Sequence, residues 1–321
     1  EMCIRDSTKD GGESWTKMTV DNLPDTPSTA FVNDIKTDMH DTETAYVLLD
    51  NHKYGDYKPY MFKTTNGGKK WVSITKGIPD GTLLWRIVQD HVNPNLLFLG
   101  TEYGVYISLN QGENWHKFSN GLPTIPVRDV AIQKRENDLV LATFGRSFYV
   151  LDDYSPLRNM TEEMLSNDGV IFEPRKALQF NQIYGGTSSD GGQTYYADNP
   201  RYGANITYFV KDAPASMKSK RAKSEKAKKD GDIPFPGWDA LDDEMSEQKN
   251  QVILVVKDKN GNIVSKISGP LRKGVSRVNW NLTSSIPTTI RASSRSSRGW
   301  RGSGGGIRTQ VDPGVYDLFL N

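Results

Sequence analysis

The apolar residues of this chain fall in short runs, separated by turns rich in Gly, Pro, Asn and Asp. Two successive sets of four runs predict β-strands, which we letter a to d within each set. A third set supplies strands a to c. The runs are FVNDIKT, AYVLLD, YMFKT and KWVSI, then LWRIVQD, NLLFLGT, GVYISL and NWHKF, and last VRDVAIQ, DLVLAT and SFYVLDD.

A turn motif recurs next to strand d. Its form is Ser or Thr, any residue, Asp or Asn, any residue, Gly, two residues of any kind, and Trp. We call the three copies box 1 (TKDGGESW, 8–15), box 2 (TTNGGKKW, 64–71) and box 3 (SLNQGENW, 108–115). Each is followed by a short trailer, NLP (22–24), GIP (77–79) or GLP (121–123). Internal repetition of this kind predicts a repeat architecture.

The residue types in the boxes predict a tight turn rather than a reactive site. Gly can adopt backbone angles that are sterically disfavoured for other residues. The side-chain oxygens of Asp, Asn, Ser and Thr can accept hydrogen bonds from backbone N–H groups inside a turn. Trp supplies an apolar plate that packs beside the turn. Asn replaces Asp in two of the three boxes, which a turn acceptor tolerates better than a general acid or a metal ligand does. The predicted structural residues are Thr8, Asp10, Gly12, Trp15, Thr64, Asn66, Gly68, Trp71, Ser108, Asn110, Gly112 and Trp115.

Four strands in a unit of roughly 45 residues are typical of a β-propeller blade. The sequence therefore predicts an all-β fold, in which a partial β-propeller of about three blades, each of four antiparallel strands, precedes an Ig-like β-sandwich with a charged helical insertion. The predicted divisions are 8–158 for the blades, 159–213 for a strand-rich connector that starts the sandwich, 214–250 for the charged insertion, and 251–321 for the remaining sandwich strands.

The boxes resemble the Asp-box, or BNR repeat, of sialidase-like and sortilin-like propellers. The run ATFGRSFYVLDDYSPLR (142–158) resembles the last blade of large bacterial BNR-repeat proteins, so that the resemblance covers residues 8–158. It implies that the boxes lie between strands c and d, have a structural role, and stand opposite the face that binds ligands. It also implies an extracellular location, or one in the periplasm or cell envelope.

The expected binding face carries the start of each strand a and the turns between strands b and c. Aromatic residues there can stack on a sugar or a peptide, and arginines and carboxylates can orient it. The predicted binding residues are Tyr54, Tyr57, Trp85, Arg86, Tyr103, Arg128 and Arg146, the weaker catalytic candidates are Asp56, Glu102 and Asp129, and His52 and Phe144 lie on the same turns. The alternative is that these are ordinary loop and inter-blade packing residues.

A sialidase-like arrangement is a further alternative for the same face. Sialidases clamp a carboxylate with three arginines, and Arg86, Arg128 and Arg146 could take those roles. The enzymes also use a Tyr/Glu pair, and no such pair can be assigned in this sequence.

The second half of the chain changes pattern. GVIFEP, ALQFNQI and ANITYFVKD predict strands, QVILVVKDKNGNIVSKISGP (251–270) predicts a β-hairpin with KNGN as its turn, and GVSRVNWNL and PGVYDLFL predict two more strands. This order resembles the Ig-like domain of flagellar hook-capping type that follows such propellers. The resemblance implies that Trp280 and Tyr316 are core aromatic residues.

Three segments invite functional interpretations that the sequence does not favour. The basic block 214–232 surrounds a predicted helix and is followed by acidic WDALDDEMSE (238–247), which favours a solvated helix or helical pair over a nucleic-acid or lipid patch. The Ser/Gly/Arg-rich stretch 284–310 predicts a disordered loop. SSDGGQTY (188–195) looks like a fourth box, but it has no trailer and predicts a Gly/Ser turn.

Charge and hydropathy narrow the expected partners. The formal net charge is +1, so no global field steers the chain to nucleic acid. No run of about 18 apolar residues is present, and we predict no membrane span. We predict a glycan, peptide or protein ligand on the face opposite the boxes, with no cofactor and no metal.

The first seven residues, EMCIRDS, do not match a blade. A strand c should lead into box 1, but Arg5 and Asp6 stand where an aromatic or aliphatic strand is expected. The peptide is similar to an in-frame translation of a transposon-end sequencing adapter. We therefore expect residues 1–7 to be an artefact, Cys3 to say nothing about redox compartment, and the chain to be a fragment whose partners include missing blades, because propellers close with about 4–8 blades.

Two functions remain open at this point. One is non-catalytic binding of a peptide, protein or glycan by the propeller. The other is a glycoside hydrolase, sialidase- or xyloglucanase-like, whose active site is only partly present in this chain. A hydrolase needs two carboxyl groups about 5 to 9 Å apart across a sugar site, and the sequence does not fix that separation. Whether the protein is an enzyme is left open.

Overall fold

The structure, a computed structural model, describes residues 5–8, 10–18, 22–119, 121–180, 200–227, 235–248, 250–284 and 309–320. The chain divides into two units, Glu1–Met160 and Thr161–Asn321. The box-like SSDGGQTY and residues 285–308 of the Ser/Gly/Arg-rich stretch lie outside the described residues.

Antiparallel sheets make up the first unit. A two-stranded sheet pairs β1 (Arg5–Ser7) with β2 (Thr16–Met18). Blade 1 consists of β3 (Phe31–Thr37), β4 (Ala45–Asn51), β5 (Asp56–Thr64) and β6 (Val72–Ser73). Blade 2 consists of β7 (Leu84–Gln89), β8 (Leu97–Thr101), β9 (Gly104–Ser108) and β10 (His116–Phe118). Blade 3 consists of β11 (Val127–Gln133), β12 (Asp138–Thr143) and β13 (Phe148–Leu151).

The innermost strands join neighbouring blades. Strand β7 contacts β3, β4 and β11, and β8 also contacts β11. Within each blade, strands that follow one another in sequence are hydrogen-bonded neighbours. Blades 1 and 2 share a buried cluster of Tyr46, Leu48, Met61, Ile74, Ile78, Leu84, Ile87, Leu97, Leu99, Tyr106 and Trp115. The partial β-propeller predicted from the sequence is confirmed.

The three boxes fold into the same turn. In each, the hydroxyl of the first residue donates to the side-chain oxygen of the third at 2.8–3.0 Å. The same hydroxyl accepts the backbone N–H of the Gly at 2.8–3.0 Å. The third residue also accepts the backbone N–H of the seventh at 2.9–3.0 Å. The third position therefore needs only an oxygen acceptor, which Asp and Asn both provide.

The glycines of the boxes have a backbone conformation that side chains oppose. The φ angles of Gly12, Gly68 and Gly112 are 102°, 84° and 90°. This left-handed region is open to Gly and costly for residues with a Cβ atom.

Strand β1 corrects one expectation about EMCIRDS. We expected the segment to leave the slot of strand c unfilled, yet Arg5–Ser7 pairs with Thr16–Met18 beside box 1. Backbone pairing requires no particular side chain, so a polar segment can occupy an edge position.

A buried ion pair fixes the segment that leaves blade 3. The guanidinium of Arg158 donates two hydrogen bonds of 2.8 Å to the carboxylate of Asp90, whose side chain is fully buried. The Tyr154 hydroxyl donates to the same carboxylate, and its ring lies edge-on to Phe98 at 5.1 Å. Burial opposes ionisation of Asp90, but the bonds from Arg158 and Tyr154 hold its pKa below the ordinary value. The exit segment is thereby fastened to blade 2.

The second unit is a sandwich of two three-stranded sheets. One sheet has the strands β14 (Gly169–Ile171), β15 (Ala204–Val210) and β18 (Gly274–Trp280). The other has β16 (Gln251–Lys257), β17 (Ile263–Pro270) and β19 (Asp317–Leu320). Side chains from both sheets form one core. Strands β16 and β17 form the predicted hairpin.

The aromatic core of the sandwich matches the sequence prediction, and one predicted strand does not. Trp280 is 5% exposed and packs edge-on against Tyr316 at 5.4 Å. ALQFNQI was expected to be a strand, but its described part, residues 177–180, has no regular secondary structure.

The second unit also carries helices. A short helix α1 (Glu162–Ser166) precedes β14, and the charged insertion contains α2 (Met217–Ala227) and α3 (Trp238–Ser246). Arg221 donates to both carboxylate oxygens of Glu244 at 2.6 and 3.0 Å, which ties α2 to α3. Neither α2 nor α3 has a buried side chain. The predicted solvated helical pair is confirmed. No described helix is long and apolar enough to span a bilayer.

The buried ion pair between Asp90 and Arg158 yields a stability prediction. Replacing Arg158 with Ala leaves the buried Asp90 carboxylate without its cation, and we expect the free energy of unfolding to fall by about 3–5 kcal/mol. Denaturant titration followed by tryptophan fluorescence measures this change. The matched control is Arg135→Ala, since Arg135 is highly exposed and its ion pair with Glu136 lies at the surface, and it should cost under about 1 kcal/mol. Equal losses of unfolding free energy in the two variants would contradict a stabilising role for the buried ion pair.

Candidate ligand-binding face

Strand pairing places the starts of strands a beside the turns between strands b and c. Phe31 pairs with Asp50, Leu84 with Thr101 and Val127 with Thr143, at the end of each blade that is opposite the boxes. We call this end the loop face. Its sequence-predicted residues are Tyr54, Asp56, Tyr57, Trp85, Arg86, Glu102, Tyr103, Arg128, Asp129 and Arg146.

Three of these residues form a cluster across blades 2 and 3. The indole Nε1 of Trp85 donates to Glu102 Oε2 at 3.0 Å. The guanidinium carbon of Arg128 lies 3.7 Å from the centroid of the Trp85 ring, and Arg128 Nη2 lies 3.7 Å from Glu102 Oε2. The ring centroid of Phe144 lies 5.7 Å from the same guanidinium carbon. The cluster holds a half-exposed cation against an aromatic plate.

Arg86 joins all three blades on the loop face. Its Nη1 donates to Asp34 of blade 1 at 3.0 Å, and its Nε donates to Asp129 of blade 3 at 2.9 Å. Asp34 is 7% exposed and also accepts the backbone N–H of Ile87 at 3.0 Å. Burial disfavours the charged guanidinium, but the two carboxylates outweigh it and raise the pKa of Arg86 above its ordinary value. The guanidinium of Arg86 is therefore bonded to side chains of the propeller itself.

Blade 1 contributes aromatic and imidazole groups. His52 Nδ1 is bonded to the buried carboxylate of Asp50, and the imidazole meets the Trp85 ring edge-on at 6.2 Å. The exposed Tyr54 ring stacks on Phe31 at 6.5 Å, and Lys53 Nζ lies 4.3 Å from the Phe31 centroid. The turn thus extends the cluster toward blade 1 through His52.

Asp56 has its own local partner. Its Oδ2 accepts a 2.6 Å hydrogen bond from the Tyr60 hydroxyl, and its Oδ1 accepts the backbone N–H of Lys58. The bond from Tyr60 holds the pKa of Asp56 below the ordinary value. Asp56 is therefore ionised at neutral pH, which suits an acceptor and does not suit a general acid.

The structure brings some predicted site residues together and leaves others apart. Trp85, Glu102 and Arg128 form one cluster, and Arg86 and Asp129 are bonded to each other. Tyr57, at the start of β5, and Tyr103 and Arg146, on their turns, are exposed and have no described hydrogen bond from their side chains. Binding and catalytic roles for all of these residues stay predictions.

Two acidic residues that matter here were not predicted from the sequence. Asp34 anchors Arg86 and Asp50 anchors His52. Each sits inside a predicted strand, where an acidic residue among apolar neighbours is the signal that could have identified it. Among the described residues, no group of three or more His, Cys, Asp or Glu could hold a metal ion.

Comparison with known proteins gives weak structural similarity. No family model matches the sequence, and no curated protein matches it. A GH74 enzyme from Niastella koreensis is 15% identical with a TM-score of 0.33, over 56% of this chain and 28% of that one. An ancestral GH74 enzyme is 17% identical with a TM-score of 0.35, over 59% and 27%. YCF48 bound to D1 peptide is 14% identical with a TM-score of 0.33, over 65% and 54%.

The aligned parts are small relative to those proteins. This chain spans 18–28% of the length of the GH74 structures, which include a xyloglucanase from Xanthomonas campestris at 11% identity. Such identities and TM-scores carry no function from those proteins to this chain.

The pair of Tyr60 and Asp56 predicts an alkaline titration. Burial and the bond to the Asp56 carboxylate raise the pKa of Tyr60 to about 12. Because the folded pKa exceeds the unfolded value of about 10, the contribution to stability is present below that value and is lost as pH rises to about 12. The phenolate absorbance difference between wild type and Tyr60→Phe should therefore appear near the upper value. In Asp56→Asn, the same difference should move to lower pH. An unchanged midpoint in Asp56→Asn would contradict the assignment.

Proposed function

We propose that this chain is part of a BNR/Asp-box propeller protein that binds a peptide, protein or glycan on its loop face without catalysing a reaction. The observation that carries the proposal is the Arg128 guanidinium, which is stacked on Trp85 and half exposed. A cation on an aromatic plate, flanked by exposed rings, is an arrangement suited to recognition.

The electrostatics of the loop face support binding. Arg128 makes no hydrogen bond to the described residues, and Glu102 lies 3.7 Å from its Nη2. Its N–H groups are thus available to a ligand, while the stacked ring fixes the plane of the guanidinium. Exposed Tyr54, Tyr103 and Phe144 add apolar area around the cation.

The hydrolase alternative requires that a carboxyl group of the loop face act as a general acid. A general acid must hold a proton near the working pH, and Asp56 is held ionised by its bond from Tyr60. Asp129 is bonded to Arg86, and Glu102 accepts the Trp85 indole N–H. Both carboxylates are thus already bonded to side chains of the propeller itself, which favours the binding proposal.

Family membership and location are part of the proposal. The three boxes with matching hydrogen bonds support a BNR/Asp-box propeller, and the two-sheet second unit with Trp280 and Tyr316 in its core supports an Ig-like domain. By that resemblance, the parent protein is extracellular, periplasmic or in the cell envelope of a bacterium.

Glycan and peptide arrays probed with the purified chain test the proposal. We expect retention of one ligand class, and Arg128→Ala or Trp85→Ala should weaken it at least about tenfold because the stacked pair is lost. Arg201→Ala, an exposed arginine of the second unit, is the matched control and should leave retention unchanged.

A hydrolysis assay on the glycans of the same array separates the two functions. The binding proposal predicts intact glycans after prolonged incubation. Cleavage that disappears in Glu102→Gln or Asp129→Asn would overturn it in favour of the hydrolase.

A further inference from the structure

The turns between strands b and c share an aromatic residue that is followed by Gly. The aromatic residues are Tyr54 in blade 1, Tyr103 in blade 2 and Phe144 in blade 3. The φ angles of the three following glycines are 79°, 116° and 85°, in the left-handed region that a tight turn uses. The three rings are 61%, 47% and 70% exposed. Each blade therefore presents one aromatic ring from the same turn of the loop face.

A β-bulge recurs near the start of each innermost strand. The pairing with strand b passes over Asn33 in β3, Trp85 in β7 and Arg128 in β11. Bulges are frequent beside binding and active sites, because the extra residue is released from the ladder and its side chain is redirected. None of the three bulged residues is buried. Each blade thus combines one bulged residue with one aromatic ring.

Contacts join these groups into a surface that crosses the three blades. The Phe144 centroid lies 5.7 Å from the guanidinium carbon of Arg128, which in turn lies 3.7 Å from the Trp85 centroid. The Trp85 ring meets the imidazole of His52 in blade 1 edge-on at 6.2 Å. Tyr54 follows two residues after His52 on the same turn. A ligand that lies along this surface meets the same kind of ring on each blade.

We propose, on the basis of the binding function proposed above, that the ligand of the loop face is a linear, uncharged glycan. Its successive sugar rings stack on Tyr54, Tyr103 and Phe144, because a pyranose ring has an apolar C–H face that fits an aromatic plate. A site that repeats from blade to blade suits a ligand that repeats from ring to ring. The bulged Asn33 and Arg128 contribute hydrogen bonds to the sugar hydroxyl groups between the plates.

The charges of the loop face favour an uncharged ligand. Arg86 is bonded to both Asp34 and Asp129. Glu102 Oε2 lies 3.7 Å from Arg128 Nη2 and offsets the charge of that guanidinium. A charged ligand would have to compete with these partners to offset the cost of its own desolvation. A hydroxyl group accepts a hydrogen bond from Arg128 without displacing the carboxylate.

The backbone of the turns favours a glycan over an extended peptide. The backbone N–H groups of Glu102 and Phe144 donate to carbonyls just before β7 and β11, both at 2.9 Å. The carbonyl of Gly104 accepts the Thr101 hydroxyl at 2.9 Å. An extended peptide that adds to a sheet needs open N–H and C=O groups along a strand edge. Glycan hydroxyl groups bond equally well to side chains and to water.

Titration calorimetry of the full chain with oligosaccharides of one to four rings tests the proposal. The probes are the cello-, xylo-, manno- and malto-oligosaccharide series. We expect at least one series to bind, with an affinity that rises at least about tenfold from the one-ring to the three-ring member. An affinity that does not depend on the number of rings would overturn the proposal. Tighter binding of oligogalacturonides, the charged comparison, than of every neutral series would also overturn it.

Removal of one ring tests the assignment of the plates. In Tyr54→Ala, we expect the affinity for the three-ring ligand to fall to that for the two-ring ligand. The affinity for the two-ring ligand should stay as in the wild type, since blades 2 and 3 still hold it. Tyr54→Phe keeps the ring and should keep both affinities, and so should the control Trp238→Ala, an exposed aromatic residue of α3. Equal losses for the two ligands in Tyr54→Ala would contradict the assignment.

The arrays that test the binding function separate the two claims. Retention of peptides without any neutral glycan would leave the binding function in place and overturn the glycan assignment. Retention of no ligand class would overturn both.

Discussion

The propeller depends on a tryptophan that reaches across a blade boundary. Trp115 belongs to the turn of box 3 in blade 2, yet it is buried against Ile74 and Ile78 of blade 1 and bonded to the Ile74 carbonyl. Its backbone N–H also donates to the carbonyl of Lys76 at 2.9 Å. A turn motif that is local in sequence therefore provides long-range packing, because its hydrogen bonds hold the indole in one position. Box 3 is thus a turn of blade 2 that also packs against blade 1.

Polar side chains also form hydrogen bonds and ion pairs across the boundaries between blades. Gln89 of blade 2 donates to Asp38 of blade 1 at 2.6 Å, and the corresponding Asp90 of blade 2 receives Arg158 from the exit segment. On the loop face, Arg86 bridges Asp34 and Asp129. Asp34, Asp38 and Asp90 are buried, and buried carboxylates are costly without partners, so each of these three acids makes the position of a neighbouring segment specific.

The strands and boxes were predictable because their signals are local. Runs such as NLLFLGT and the fixed spacing of Gly112 and Trp115 in box 3 need no knowledge of distant contacts. The ion pairs of Arg86 on the loop face were not predictable, since Arg86 lies 52 residues from Asp34 and 43 residues from Asp129 in the sequence. The described part of ALQFNQI, residues 177–180, was wrongly expected to be a strand, because short apolar runs do not by themselves distinguish a strand from irregular structure.

The coupling between Trp115 and Ile78 tests most directly the claim that box tryptophans hold neighbouring blades together. A double-mutant cycle with Trp115→Phe and Ile78→Ala, measured by denaturant unfolding, reports the interaction free energy across the boundary between blades 1 and 2. The account predicts a coupling of about 0.5–3 kcal/mol, as for residues in direct contact. Additivity within about 0.3–0.5 kcal/mol would contradict it, because two residues that do not depend on each other cannot join two blades.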